Sequence, residues 1–312
     1  MTVGTVPQRA EAVKRSTGFR QMCWPLARLC ATRGGVPTPE HLPRSGLDAA
    51  HHFRRFALDA GAGFRLESRW SRGVDVTDSE GIAMAFSDDL FDHVKPIWDA
   101  QLVHPFVKGL GDGSLPLDRL RRWGCQDYLY LKEFARLFAW AVAKIDRLES
   151  MGWYAAVLHL TLNTEMALHR EYAQRFGISA AELEAQPVWP TTRAYTDFLI
   201  RTSADGDMAD LVAALLPCSW GYVYVAQHLT KGQPPADQRY VDWIAQYVSQ
   251  DFVQTAEWLK DEMNRLADGA TPPKRIRLLG IFEISSQYEW LFWEMCWKGE
   301  SWPIALPPRA TR

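Results

Sequence analysis

A chain of 312 residues, 47% of them apolar, is long enough for one large or two modest globular domains. Its near-zero net charge is uneven: residues 1–83 carry 12 basic and 8 acidic side chains, residues 84–312 carry 23 and 29. The acidic body argues against non-specific nucleic-acid binding, the lack of an apolar run of about 18 residues argues against a membrane span, and five cysteines without paired spacing (Cys23, Cys30, Cys125, Cys218, Cys296) argue for a reducing, cytoplasmic setting without a disulfide framework or a structural zinc site.

Pro7, Pro25, Pro37, Pro39 and Pro43 interrupt the first part of the chain, and its first 35 residues hold six basic side chains against one acid, Glu11. Residues 1–83 therefore read as a low-order extension, upstream translated or targeting sequence, with a short helix around Leu47–Leu58. From Phe86 the pattern turns helical, with Phe91, Val94, Ile97 and Trp98 at helical spacing. His104-Pro105-Phe106 and Gly109, Gly111 and Gly113 read as a loop. Ser114-Leu115-Pro116 predicts the start of a long helix to about Leu148, with Pro116 in its first turn. A second helix spans about 151–176 and stops at Gly177. Asp207 opens the helix that carries Cys218, which ends before Lys231. Helices over about 237–248, 250–268 and 273–298 complete a helical domain at 84–305, followed by a tail at 306–312. No alternating strand pattern appears, so the fold class is all-α, and twelve tryptophans in the body suit a bundle with an aromatic interior.

Four groups of residues could carry chemistry. Pro217 is expected to kink its helix and leave Cys218 at the start of a fresh segment, where peptide dipoles favour a thiolate, with Tyr222 one turn on. A lone cysteine on an apolar helix is otherwise a small buried hydrophobe. Asp127, Tyr130 and Phe134 share a helical face, and an inward Asp127 needs a partner, structural or ligand. Glu289, Phe292 and Cys296 share another, where Tyr288, Trp290 and Trp293 crowd Glu289; desolvation there raises a carboxyl pKa towards general acid–base use. Glu165 and His169, four residues apart, fit an ion pair or a supporting role better than a metal site, because a carboxylate-bridged centre needs more ligands. Tyr195 and Tyr247 stand alone in their helices, and the glycines after His104 lack the context of a phosphate loop.

These segments, in this order, resemble the TenA family, which includes thiaminase II and the aminopyrimidine aminohydrolases. The resemblance covers about residues 85–303. It rests on His104-Pro105-Phe106-Val107, Gly111-Asp112-Gly113-Ser114-Leu115-Pro116, Gln126-Asp127-Tyr128-Leu129-Tyr130-Leu131, Glu165-Met166-Ala167-Leu168-His169-Arg170, Ala194-Tyr195-Thr196, Leu216-Pro217-Cys218 with Tyr222, and Tyr288-Glu289 with Phe292-Trp293. It implies a haem-oxygenase-like bundle without haem, a homotetramer, and hydrolysis at the exocyclic methylene of a 4-amino-2-methylpyrimidine in thiamin salvage. It places the nucleophile on Cys218, its acidic partner on Glu289 and the pyrimidine-binding carboxylate on Asp127. Tyr130 falls on the ring-packing aromatic, Tyr195, Tyr222 and Tyr247 on the pocket tyrosines, and Phe292 on the pocket wall. Cys218 sets the chain in the cysteine-bearing branch, with no metal or organic cofactor required. Two rival readings are a non-catalytic pyrimidine- or thiamin-binding or regulatory protein, and a metal-dependent oxidase with Glu165, His169, Asp127 and Glu289 as ligands.

Overall fold

The structure is a computed structural model that describes residues 85–304; the expectations for residues 1–83 and for the tail lie outside them. Among the described residues the backbone forms eleven α-helices and no strand. They are α1 (Phe86–Leu102), α2 (Pro105–Asp112), α3 (Leu117–Lys144), α4 (Leu148–Leu160), α5 (Met166–Arg175), α6 (Ala180–Glu184), α7 (Pro190–Asp205), α8 (Met208–Leu229), α9 (Gln238–Tyr247), α10 (Gln250–Ala267) and α11 (Pro272–Lys298).

Helix α8 is the axis of the bundle and packs against α1, α2, α3, α7, α9, α10 and α11. Its apolar run from Leu211 to Leu216 is fully enclosed, as a helix surrounded on all sides requires. By length and composition α8 could cross a membrane, which the sequence reading did not register; here most of it is covered by neighbouring helices. Its start is the expected one. Asp207 accepts from the Asp210 N–H at 3.0 Å and Asp210 accepts from the Asp207 N–H at 3.1 Å, a reciprocal cap. The buried Asp210 carboxylate also binds Lys274 Nζ (2.8 Å) and Arg277 Nε (3.0 Å), which fixes α11 along α8.

Two further ties set the register of the long helices. Trp98 on α1 donates to Ser286 Oγ at 3.1 Å, and Trp293 on α11 donates to Gln101 Oε1 at 2.8 Å, so both indoles are buried with their polar atom satisfied. Gln126 on α3 binds the start of α7 three times, through Pro187 O, Trp189 N and Thr192 Oγ1. That clamp orients the helix bearing Tyr195.

Several local expectations are corrected. The glycines after His104 do not form a loop: Gly109 and Gly111 lie inside α2, which the His104 ring caps by accepting from the Phe106 N–H. Gly109 is needed because the chain folds back on it; a Cβ there would meet the Leu115 backbone at 2.9 Å. The reversal turns on Gly113, at φ 78°. Pro116 is the N-cap of α3 rather than a first-turn residue, and α3 ends at Lys144 instead of Leu148. The predicted 151–176 helix starts at Leu148 and is interrupted by a π-helical turn, Thr161–Glu165, before α5. Its stop at Gly177, with φ 72°, is as expected. Pro217 does not break α8, which runs unbroken from Met208 to Leu229.

Candidate active site

The inner faces of α3, α7, α8, α9 and α11 bring the eight sequence-predicted residues together. On α3, the positions Trp123, Asp127, Tyr130 and Phe134 recur at helical spacing and are all buried. Tyr130 lies 5.4 Å from the Tyr195 ring of α7 and 6.1 Å from Phe292 of α11, centroid to centroid. Tyr222 of α8 packs on Tyr247 of α9 (4.8 Å) and on Trp293 (5.1 Å), and its hydroxyl accepts from Trp123 Nε1 at 3.3 Å. The result is an aromatic enclosure with few polar groups.

Cys218 lies among them. It sits in the middle of α8 yet retains partial accessibility, while Leu215, Leu216 and Pro217 beside it are buried. The expected thiolate at a helix start is overturned: α8 offers no free N–H groups at Cys218. Burial pushes the thiol well above its ordinary range, and the charges of Glu289, Asp127 and Glu165 push it further, against a smaller opposing effect of Tyr130. The Tyr130 hydroxyl beside it makes no well-formed hydrogen bond to any protein group. Cys218 therefore rests as a thiol.

Glu289 is 3% exposed, and burial raises its carboxyl to about 8, with Asp127 adding to the shift and the Tyr195 hydroxyl opposing it. Tyr195 donates to Glu289 Oε1 at 2.5 Å and touches Ser285 Oγ at 3.0 Å, and Ser285 donates to the Ala214 carbonyl at 2.6 Å. Desolvation outweighs the Tyr195 bond and favours the protonated carboxyl at neutral pH.

Asp127 is held by His169 of α5, whose Nε2 lies 2.8 Å from Asp127 Oδ2 and whose Nδ1 lies 3.0 Å from the Glu165 carbonyl oxygen. Both ring nitrogens face acceptors, an arrangement that the doubly protonated imidazolium satisfies. Burial pushes His169 down, but the bond and charge of Asp127, together with Glu165, outweigh it, and the net shift is upward. The predicted Glu165–His169 pair is thus a backbone contact, and the charge partner of His169 is Asp127. The Glu165 carboxyl is raised to about 8, mainly by burial, and its Oε2 makes no well-formed hydrogen bond.

The donor set does not suit a metal. Among the described residues no three His, Cys, Asp or Glu side chains are arranged to hold one, and both nitrogens of His169 are committed. The sequence reading missed Ser285, Trp123 and Trp243 as parts of this site. Ser285 carries no signal in sequence, whereas Trp123 stands one helical turn before Asp127 and could have been found from that spacing.

Comparison with known proteins identifies the family. The pattern of the TENA/THI-4/PQQC family matches residues 91–299. An aminopyrimidine aminohydrolase of Halalkalibacterium halodurans is 42% identical over 221 residues, 70% of this chain and 98% of that protein. One of Bacillus subtilis is 36% identical over 219 residues, 70% of this chain and 92% of that protein. The solved TenA homologue from P. horikoshii OT3 superposes with a TM-score of 0.64 at 24% identity, over 69% of this chain and all of that one, which bears on the fold. The chain belongs to the TENA/THI-4/PQQC family.

Proposed function

We propose that the protein is an aminopyrimidine aminohydrolase of thiamin salvage. It replaces the amine on the exocyclic methylene of a 4-amino-2-methylpyrimidine by hydroxyl, and cleaves thiamin more slowly at the same carbon. The observation that carries this reading is the convergence of a partly accessible Cys218 with two buried carboxyl groups, Glu289 and Asp127, in an aromatic enclosure, on a chain 42% identical to a protein of that name.

The chemistry follows from the protonation states. Asp127, fixed by His169, accepts from the ring's amino group and orients the ring against the aromatic wall that Tyr130 and Phe292 form. A ring lacking that amino group would leave the second oxygen of Asp127, the one not bound by His169, without a donor, which is a form of rejection. Glu289 in its acid form protonates the ring nitrogen, and the carboxylate so formed takes the Cys218 proton. S–H thus adds across a ring C=N bond without a free thiolate among carboxyl groups. With aromaticity lost, the amino group's electrons push through the ring and expel the leaving group from the methylene. The positive charge that builds on the amino nitrogen lies against Asp127. Water adds to the methylene, the sulfur departs, and the ring regains aromaticity.

The same reading carries a homotetramer in the cytoplasm. Ile276, Ile284 and Leu291 stand exposed along α11, apolar surface of the kind a subunit contact covers. The test is release of ammonia and hydroxymethyl-pyrimidine from aminomethyl-pyrimidine, wild type against Cys218→Ala. The variant should lose about 10³-fold or more in kcat/KM. Full activity in the variant removes Cys218 as the nucleophile.

A further inference from the structure

Glu165 is a buried carboxyl group of the site for which the steps above have no use. It closes the π-helical turn Thr161–Glu165, and such single-turn insertions concentrate at functional sites. Its Oε2 is buried and makes no well-formed hydrogen bond, and neither does the Thr161 hydroxyl, which faces the same carboxyl. An orphaned carboxyl oxygen inside a bundle costs stability unless a ligand completes it.

Its position relative to the other acids is informative. Glu165 acts electrostatically on Asp127's partner His169, on Tyr247 and on Cys218, and is itself influenced by Asp127. Glu289 acts on Tyr130, Tyr195, Tyr222 and Cys218, and is also influenced by Asp127. Glu165 is tied to Asp127 through His169, whose ring contacts the Glu165 carbonyl oxygen at 3.0 Å and Asp127 Oδ2 at 2.8 Å, so it lies on the Asp127 side of the site. In the substrate, the carbon bearing the methylene is the direct neighbour of the carbon bearing the amino group, and the ring nitrogen that Glu289 serves lies across the ring from that amino carbon. With the amino group on Asp127, the methylene on the adjacent carbon sits on the Asp127 side of the ring, the side to which Glu165 is tied through His169.

We propose that Glu165 handles the protons at the methylene: its carboxyl O–H protonates the departing amine, and the carboxylate so formed takes a proton from the incoming water. This rests on the aminopyrimidine reading above. The step balances. The C–N bond breaks with its electron pair on nitrogen, and the amine plus the Glu165 proton leaves as ammonia. The water oxygen then bonds the methylene carbon, one of its protons returns to Glu165, and the hydroxymethyl product keeps the other. Nothing is oxidised or reduced. Glu289 and Glu165 thus divide the proton transfers, one at the ring nitrogen and the thiol, the other at the methylene. The assignment also sets specificity. An amine needs an acid to leave, whereas the thiazole of thiamin departs from a nitrogen that is already cationic.

The experiment compares Glu165→Gln with wild type on aminomethyl-pyrimidine and on thiamin. The expected loss in kcat/KM is about 10²–10⁴-fold for ammonia release and less than about tenfold for thiazole release. Equal losses on both substrates, or unchanged ammonia release, would overturn the proposal. A second measurement uses wild type alone, with N-substituted aminomethyl-pyrimidines. Its rates should vary little with the basicity of the leaving amine, and a steep fall with rising basicity would overturn the proposal even where the variant fails to fold. Wild-type protein that turns over neither substrate overturns the function reading and this inference with it; active wild type beside an unselective variant overturns this inference alone.

Discussion

Replacing Tyr195 by Phe removes one oxygen and keeps a ring that packs 5.4 Å from Tyr130 and stacks 5.1 Å from Tyr288. The lost hydroxyl is the donor to Glu289 Oε1 at 2.5 Å; Ser285 keeps its own bond to the Ala214 carbonyl. A hydrogen bond to an ionised group contributes about 1.5–3 kcal/mol and one between neutral groups about 0.5–1.5 kcal/mol. The ionised carboxyl therefore loses about 1 kcal/mol more than the acid form, and Glu289, already raised to about 8, moves up by a little under one pK unit. The acid form protonates the ring, so the alkaline limb of the kcat/KM profile for aminomethyl-pyrimidine should move to higher pH by roughly half to one unit. The assay is ammonia release across pH 6.5 to 10, with circular dichroism confirming the fold. An alkaline limb that stays in place or moves down would refute the assignment of that limb to a Tyr195-bound Glu289.

Cys218, held as a thiol by burial and by nearby carboxyl groups, should be alkylated by iodoacetamide at pH 7 more slowly than glutathione, as followed by peptide mass spectrometry; labelling as fast as glutathione's would contradict the upward shift. Stability should fall as pH rises through neutrality. Glu165 and Glu289 hold protons up to about 8 in the folded state but only to about 4.3 when unfolded, so between those values the folded chain binds more protons and each group costs up to about 1.4 kcal/mol per pH unit. His169, raised on balance, acts in the same direction. Urea unfolding at pH 6.5 and 7.5 should therefore show a loss on the order of 2 kcal/mol, reduced in the double Glu→Gln variant; a pH-independent midpoint would count against both raised carboxyls.

Much of the fold was legible because each long helix carries its own periodicity. The Asp207 cap and the Gly177 stop are local chemistry and read correctly. What failed depended on distant chain segments. The glycines of α2 looked like a loop, because nothing local shows that Leu115 folds back over Gly109. The π-turn is invisible because the extra residue is accommodated by packing, with no Gly or Pro to mark it. The site residues were legible in part from spacing, as with Asp127, Tyr130 and Phe134, and otherwise through family resemblance, as with Tyr195 and Tyr247. The pairing of Asp127 with His169 joins positions 42 apart on α3 and α5, so spacing within one helix suggested Glu165 as the partner of His169 instead.

The error at Pro217 changes the account of reactivity most. A thiolate at a helix start would be a standing nucleophile, open to oxidation and to any electrophile that entered. The thiol in mid-helix α8 is different. Glu289, Asp127 and Glu165 all disfavour its ionisation, and no cation except the His169 already paired with Asp127 was identified near it among the described residues. Asp127, and Glu289 once it has given its proton to the ring, favour positive charge on a bound aminopyrimidine, first at the ring nitrogen and then at the amino nitrogen as the leaving group departs. Burial and carboxylate charge therefore suppress the free thiolate, while the same carboxylates stabilise the cationic ring that accepts the sulfur. Binding of the right ring supplies both the proton acceptor that lets Glu289 ionise and the electrophile that Cys218 attacks, so nucleophile and substrate are activated in the same event and neither is activated alone.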